Sequence, residues 1–239
     1  MKKMIAFVLP LMLTVLSADN WTNNLTLAFS SKSGNTNLTS YAIGLKSATK
    51  GDIKIMGRLL TDSEFSLVVA HSKGQYKGTL YENKGNIRLV FDYHANHTFS
   101  PFMFTSWEYD SLASLDNRSN MGLGAKVRLT KGFSISAAGL WENEKYINQG
   151  LVSQARLSFR PKYKRTFESG TFTQWILFYQ PLLSDYSNYL INQTLTVSLK
   201  TQIKWLDISI TTVYQYNSKP PEGVKKEDLD VNLGFIINF

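Results

Sequence analysis

Large apolar and polar side chains alternate strictly over the last eleven residues of the chain, 229–239. This period of two predicts a β-strand with one apolar and one mostly polar face. A strand of roughly 9–11 residues also crosses the hydrocarbon layer of a membrane when it is tilted. A soluble β-sandwich can end on the same kind of strand, so this strand alone does not distinguish a soluble sandwich from a membrane-spanning sheet. The apolar positions are Leu229, Val231, Leu233, Phe235, Ile237 and Phe239.

The same alternation recurs along the whole chain and is clearest at residues 120–129. If residues 37–60 form one bulged strand, the pattern predicts about twelve strands, an even number as in single-chain bacterial barrels. Such barrels have longer connections at the outer end. We therefore expect outer connections near 31–36, 73–85, 110–118, 145–150, 180–188 and 217–227, and the basic stretch 161–170 is the one long connection expected at the other end.

Charged side chains fall on the polar phase of the predicted strands. A charge facing lipid at mid-membrane costs about 2–4 kcal/mol, so these side chains must face an enclosed lumen. The pattern therefore predicts an all-β, closed, antiparallel up-and-down transmembrane barrel. The lumen-lining candidates are Arg88, Asp92, Glu108, Lys126, Arg128, Glu142, Arg156 and Asp207. Bulky residues on the same phase, expected to fill part of the lumen, are Phe102, Phe104, Phe172, Ile176, Phe178 and Trp205.

The two ends of the chain predict export and insertion. Lys2 and Lys3 precede an apolar run from Met4 to Leu16 and then small or polar residues, which indicates a signal peptide over residues 1–18 and a barrel over 19–239. No later run is long enough for a membrane helix. The last strand resembles the C-terminal signature of outer-membrane barrels, which implies recognition by the barrel-assembly machinery through Phe239. We expect an outer-membrane location, in contact with lipid and lipopolysaccharide.

Amino-acid composition gives weaker evidence about the fold than the alternation does. The chain has 26 Lys+Arg against 18 Asp+Glu and no cysteine. The basic residues are scattered rather than clustered, so we expect a surface that faces phosphate-bearing lipid head groups and not nucleic acid. The absence of cysteine excludes a disulfide framework, which a small exported domain often uses and a closed barrel does not need.

Several short motifs, in their order along nearly the whole mature chain, resemble the salt-induced outer-membrane protein family of Gram-negative bacteria. The name of that family implies expression under salt stress, and its biochemical function is unknown, so the resemblance implies no catalytic residues. The motifs are Ser33-Gly34-Asn35-Thr36, Trp107-Glu108-Tyr109-Asp110 with Arg118 and Gly122/Gly124, Glu142 to Tyr146, Tyr179-Gln180-Pro181 before Asp185-Tyr186, and Pro220-Pro221 before Lys225-Lys226.

Evidence for catalysis is weak in the sequence. His94 and His97 are three residues apart, a spacing that puts them on opposite faces of a strand, and no nucleophile elbow is present. The same-face pairs Glu108/Asp110 and Glu142/Glu144 could serve glycoside chemistry, but an internal ion-pair network is the simpler interpretation. We therefore expect no enzyme, metal or cofactor. The hypothesis is a narrow or gated pore for small polar solutes or ions, and the alternatives are a non-conducting structural barrel and an outer-membrane hydrolase.

Overall fold

The computed structural model describes residues 21–32, 38–55 and 57–238, and these residues form twelve antiparallel strands closed into one barrel. The predicted fold class and strand number are confirmed. The predicted signal peptide, the Ser33–Thr36 motif and Phe239 lie outside the described residues. The strands are β1 (Trp21–Lys32), β2 (Leu38–Ile55), β3 (Arg58–Tyr76), β4 (Thr79–Asp92), β5 (Phe99–Asp110), β6 (Leu115–Arg128), β7 (Phe133–Tyr146), β8 (Leu151–Thr166), β9 (Phe172–Leu182), β10 (Asp185–Lys200), β11 (Leu206–Asn217) and β12 (Glu227–Asn238).

Each strand pairs with its neighbours in the sequence, and β1 closes the ring by pairing with β12. Because the number of strands is even, the start of β1 and the end of β12 lie at the same end of the barrel, here called the terminal end; the opposite end is the distal end. In the part of the chain that the structure describes, no helix is long and apolar enough to cross a membrane.

The apolar phase of the strands is on the outer surface. Leu233 and Phe235 of β12 are 66% and 52% exposed, whereas the charged Glu142 and Arg156 are only 2% and 3% exposed. A sandwich would hide the apolar side chains between two sheets and leave the charged ones in solvent. This distribution excludes the sandwich and matches a barrel whose outer face is built for lipid.

The connections differ from the sequence prediction, because several strands run further than expected. The distal connections 77–78, 111–114, 147–150 and 183–184 are short, and only 218–226 approaches its predicted length. Residues 37–60 do not form a single strand: β2 ends at Ile55, and residues 58–60 already belong to β3. The predicted bulge is present as a register shift between Gly51 and Ile53.

Two further predictions for the terminal end were wrong. The expected long connection at 161–170 is short, because residues 161–166 extend β8 and only 167–171 connect it to β9. Trp205 is not in the lumen: it lies in the connection between β10 and β11 and is 53% exposed.

Candidate functional site in the barrel lumen

Contacts between strands that are not neighbours show which side chains point into the lumen. Lys84 of β4 forms an ion pair with Asp230 of β12, and the guanidinium of Arg88 on β4 lies 4.7 Å from the ring centroid of Phe178 on β9. Strands this far apart in the ring can meet only through the interior. The phase of β4 that carries Lys84 and Arg88 is therefore the inner one, and strand pairing extends the assignment to the rest of the barrel.

Nearest the distal end, β5 to β8 carry a network of carboxylates and arginines. Arg156 Nε donates to Glu142 Oε1 at 2.7 Å, and Arg118 Nε lies 3.4 Å from Glu142 Oε2. Arg118 also reaches Glu108 at 2.8 Å and Glu144 at 2.9 Å. Because a charge withdrawn from water needs both a counter-charge and hydrogen bonds, this multiple pairing explains how ionised groups remain stable here.

At mid-height, two arginines and three phenylalanines form an arginine–phenylalanine cluster. The Arg88 guanidinium lies over Phe104 as well as Phe178, with a distance of 5.7 Å to the Phe104 centroid. Arg160 of β8 lies 5.5 Å from the Phe102 centroid and 5.7 Å from that of Phe178. Cations placed over aromatic faces in this way are attracted by the ring quadrupole. The cluster joins β4, β5, β8 and β9 across the lumen.

Two inner glycines of β6 make room for these rings. A Cβ atom added to Gly122 would lie 2.6 Å from Phe104 Cε1 and 2.7 Å from the carbonyl oxygen of Gly139, and one added to Gly124 would lie 2.8 Å from Phe102 Cζ. Both positions therefore exclude a side chain, because the rings already occupy that space.

Toward the terminal end, Lys126 of β6 pairs with Asp92 of β4 at 3.0 Å, and both side chains are buried. Arg128 is more exposed and donates to the backbone oxygen of His97 at 3.0 Å. Asp207 of β11 accepts a hydrogen bond from Asn238 Nδ2 at 3.1 Å. Lys126 and Asp92 therefore meet, whereas Arg128 and Asp207 lie apart from the main clusters.

The eight candidate residues from the sequence thus occupy three levels of the barrel rather than one site. Sequence reasoning left out Arg118 and Arg160, which hold the two largest clusters together. Both lie on the inner phase of their strands, and this phase is the signal that could have identified them.

From β10 round to β3, the inner wall is different. Many of its inner side chains are small, and Thr196 and Thr211 lie within 3.4 Å of each other through their hydroxyl groups. Larger inner side chains stand among them, namely Lys46, Glu64, Val68, Leu190, Val213 and Ile236. The inner arginines and phenylalanines are concentrated on β4 to β9 instead. The small inner residues of this wall are Thr26, Ala28, Ala42, Gly44, Ala70, Thr194, Thr196, Ser198, Ser209, Thr211 and Gly234.

The arrangement offers little for metal or acid–base chemistry. Over the described ranges, no group of three or more His, Asp or Glu side chains could hold a metal ion. The rings of His94 and His97 stack on each other at 4.8 Å in the connection between β4 and β5. Glu108, Glu142 and Glu144 are each engaged by an arginine.

Comparison with known proteins places the chain in a family. The model for proteins of unknown function, DUF481, matches residues 25–239. The chain belongs to the DUF481 family. No curated protein shows significant similarity to the chain.

Solved structures with the same kind of fold are outer-membrane barrels. The NanC porin is 8% identical with a TM-score of 0.51, over 90% of this chain and 98% of that one. The KdgM porin is 15% identical with a TM-score of 0.48, over 92% and 99% of the two chains. The translocator domain of the autotransporter NalP from Neisseria meningitidis is 10% identical with a TM-score of 0.48, over 100% and 96%. At this identity the likeness to NanC establishes the fold alone.

Proposed function

We propose that this DUF481 protein forms a narrow or gated pore for small polar solutes or ions in the bacterial outer membrane. The observation that carries the proposal is the unequal lining of the lumen. Twelve strands give a diameter between that of filled eight-stranded barrels and that of open sixteen-stranded porins. In such a barrel, the many small side chains on the wall from β10 round to β3 leave space for solvent.

The contact between Arg88 and Phe178 divides the lumen into two sectors. On one side lie the four strands β5 to β8, whose inner residues form the clusters described above; on the other lie the six strands from β10 round to β3. The second sector, here called the open sector, is bounded by the wall that carries the small inner residues. The proposed pathway follows this sector.

An ion pair crosses the open sector toward the distal end. Lys84 reaches over β3, β2 and β1 to Asp230 and also lies 3.7 Å from Glu82. The ends of these side chains can swing apart with a modest loss of energy, because partly exposed ion pairs contribute about 0–1 kcal/mol. This pair is the proposed gate.

The proposal also includes the membrane, the insertion pathway and the conditions of expression of the pore. Outer-face residues such as Leu233 and Phe235 suit lipid and lipopolysaccharide, and insertion through the barrel-assembly machinery follows from the C-terminal pattern. The link to salt or osmotic stress rests on the resemblance to salt-induced outer-membrane proteins, and its test is the amount of protein in the source bacterium at low and high salt. The proposal assigns no catalytic residue.

Planar-bilayer recording of the refolded protein tests conduction. We expect discrete conductance steps, and larger steps for Phe178→Ala, which removes one end of the contact that divides the lumen. Phe159→Ala is the matched control, because Phe159 lies on the outer face of β8 and is exposed. An absence of steps for both the original protein and Phe178→Ala, over a wide voltage range, would refute the pore.

The second candidate is a non-conducting barrel that supports the envelope. The same two cross-lumen contacts favour it, because they tie opposite walls together. It predicts that Phe178→Ala lowers stability without creating conductance.

A further inference from the structure

Arg88 and Arg160 line a common cavity in the middle of the lumen. Its volume is about 10 Å³, and its wall includes Phe102, Phe104 and Phe178 together with the hydroxyl-bearing Ser136 and Ser158. Arg160 Nε donates to Ser136 Oγ at 3.0 Å. Arg88 Nε is enclosed and has no hydrogen-bond partner among the described residues.

Within the described part of the chain, neither guanidinium has a carboxylate within 4.0 Å. Of the inner acidic residues nearest this level, two are engaged by other cations, and the third is Glu64 of β3. Glu108 is held by Arg118 at 2.8 Å, and Asp92 is held by Lys126 at 3.0 Å. The cluster thus combines two positive charges, an orphaned N–H donor and a cavity, and no acidic side chain lines that cavity.

Holding two like charges together in a poorly solvated space is unfavourable without a counter-charge. Cation–π contacts with the phenylalanines hold the guanidinium groups in place but leave their charge uncompensated. We propose that a small monovalent anion of the size of chloride binds between Arg88 and Arg160. The free guanidinium N–H groups and the Ser158 hydroxyl supply its hydrogen bonds, because the Ser136 hydroxyl already donates to the Arg160 carbonyl oxygen at 3.4 Å.

The size class of the anion follows from the cavity. About 10 Å³ corresponds to roughly one water-sized probe. A halide is somewhat larger than water and enters when the flexible guanidinium groups move slightly apart, whereas an anion with a carbon skeleton such as gluconate is far too large.

A row of basic side chains leads from the terminal end to this site. On the inner face of β8, Lys162 and Lys164 follow Arg160 toward the terminal end. Lys46 of β2 is on the inner face of the opposite wall, together with the carboxylate of Glu64 on β3. An excess of one sign of charge on a lumen wall raises the local concentration of counter-ions. The site itself lies on the β4–β9 side of the Arg88–Phe178 contact, next to the open sector rather than in it. If the protein conducts as proposed above, the positive potential of this row and of Arg88 and Arg160 acts on the adjoining open sector and makes the pore anion-selective. The selectivity rests on the proposed function, but the binding does not.

Line broadening in ³⁵Cl NMR, measured on the refolded full barrel in detergent with sodium chloride as the probe, tests binding. We expect protein-dependent broadening that bromide reverses by competition and gluconate at equal ionic strength does not. The double variant Arg88→Gln/Arg160→Gln should lose it, and Arg88→Lys/Arg160→Lys should keep part of it. Arg165→Gln is the matched control, because Arg165 is also on β8 and lies over a phenylalanine, Phe167, but is exposed at the terminal end.

Each binding outcome bears on the site. Broadening that survives in a double glutamine variant that still folds would overturn it, and folding is checked by heat-modifiable migration on a gel. If that variant does not fold, the site is tested by the broadening in the double lysine variant and by bromide competition in the unmodified protein. An absence of bromide competition refutes the site.

Reversal potentials in a tenfold KCl gradient test selectivity separately. We expect preference for chloride over potassium, reduced toward no preference in the double glutamine variant. Cation selectivity in the original protein would overturn the selectivity inference. An absence of conductance together with specific broadening would remove the pore and leave the anion site.

Discussion

Glu142 provides the sharpest test of the ion-pair network in the lumen. Its carboxylate is buried on β7 and receives Arg156 Nε at 2.7 Å, Gln154 Nε2 at 2.7 Å and, more weakly, Arg118 Nε at 3.4 Å. Glu142→Leu keeps a similar volume but removes the negative charge. The change leaves Arg156 inside the barrel without a carboxylate partner among the described residues.

The size of the effect follows from what each arginine retains. Breaking a buried ion pair by removing one partner costs about 3–5 kcal/mol. Arg118 keeps Glu108 and Glu144, and it adds little to the cost. In the described part of the chain, Arg156 then keeps backbone and amide oxygens alone: the Gln180 carbonyl oxygen at 3.2 Å and Asn188 oxygens at 3.4 Å. We therefore expect the free energy of unfolding to fall by about 3 kcal/mol, the low end of that range.

Urea unfolding of the barrel in lipid vesicles, followed by tryptophan fluorescence, measures this change. The midpoint should fall while the dependence on urea concentration stays the same. Glu168→Leu is the control, because Glu168 is exposed in the connection between β8 and β9; its effect should be within about 0.5 kcal/mol. The double variant Glu142→Leu/Arg156→Met should recover most of the loss, since it removes both charges together. A loss below about 1 kcal/mol for Glu142→Leu would refute this reasoning, because it would show that water already solvates the Arg156 guanidinium.

Two paired substitutions test the faces of the barrel. Leu233→Arg, on the outer face, should lower the free energy of unfolding from lipid by about 2–4 kcal/mol, whereas Asn232→Arg, next to it on the inner face, should lower it clearly less. Equal losses in vesicle unfolding would contradict the assignment of faces. Gly122→Ala should cost about 1–3 kcal/mol because its Cβ meets Phe104 and a backbone oxygen, whereas Gly139→Ala, with no atom within 4 Å, should be near neutral. Similar midpoints for the two alanine variants in urea would show that the phenylalanine rings move aside.

The period of two predicted the strand number and both faces, because lipid on one side and an enclosed lumen on the other impose opposite demands on successive side chains. It could not predict which inner residues meet. Arg88 reaches Phe178 and Lys84 reaches Asp230 because of the ring order and the stagger of the strands. Neither quantity is encoded in the alternation, so the division of the lumen into two sectors emerges only in three dimensions.

Connection lengths were predicted poorly for a related reason. Polar residues on both faces past the membrane look like a loop in the sequence, yet backbone pairing continues through them. The expected connection at 73–85 is in fact a two-residue turn, in which Lys77 and Gly78 have φ of 48° and 81°. Positive φ at both central residues matches the right-handed twist of a hairpin. Glycine at the second position was the local signal that favours so tight a turn.

The contacts inside the lumen explain why the inner face of β9 is apolar. Its inner residues Phe172, Ile176 and Phe178 gave the strand apolar side chains on both faces, which in the sequence left its phase ambiguous. In the barrel, Phe178 holds Arg88 and Arg160 from one side. A carboxylate at this position would hold them as firmly but would neutralise them, as Glu142 does for Arg156. An aromatic ring fixes a guanidinium and leaves its charge available, and that difference separates a lumen that is merely braced from one that can attract an anion.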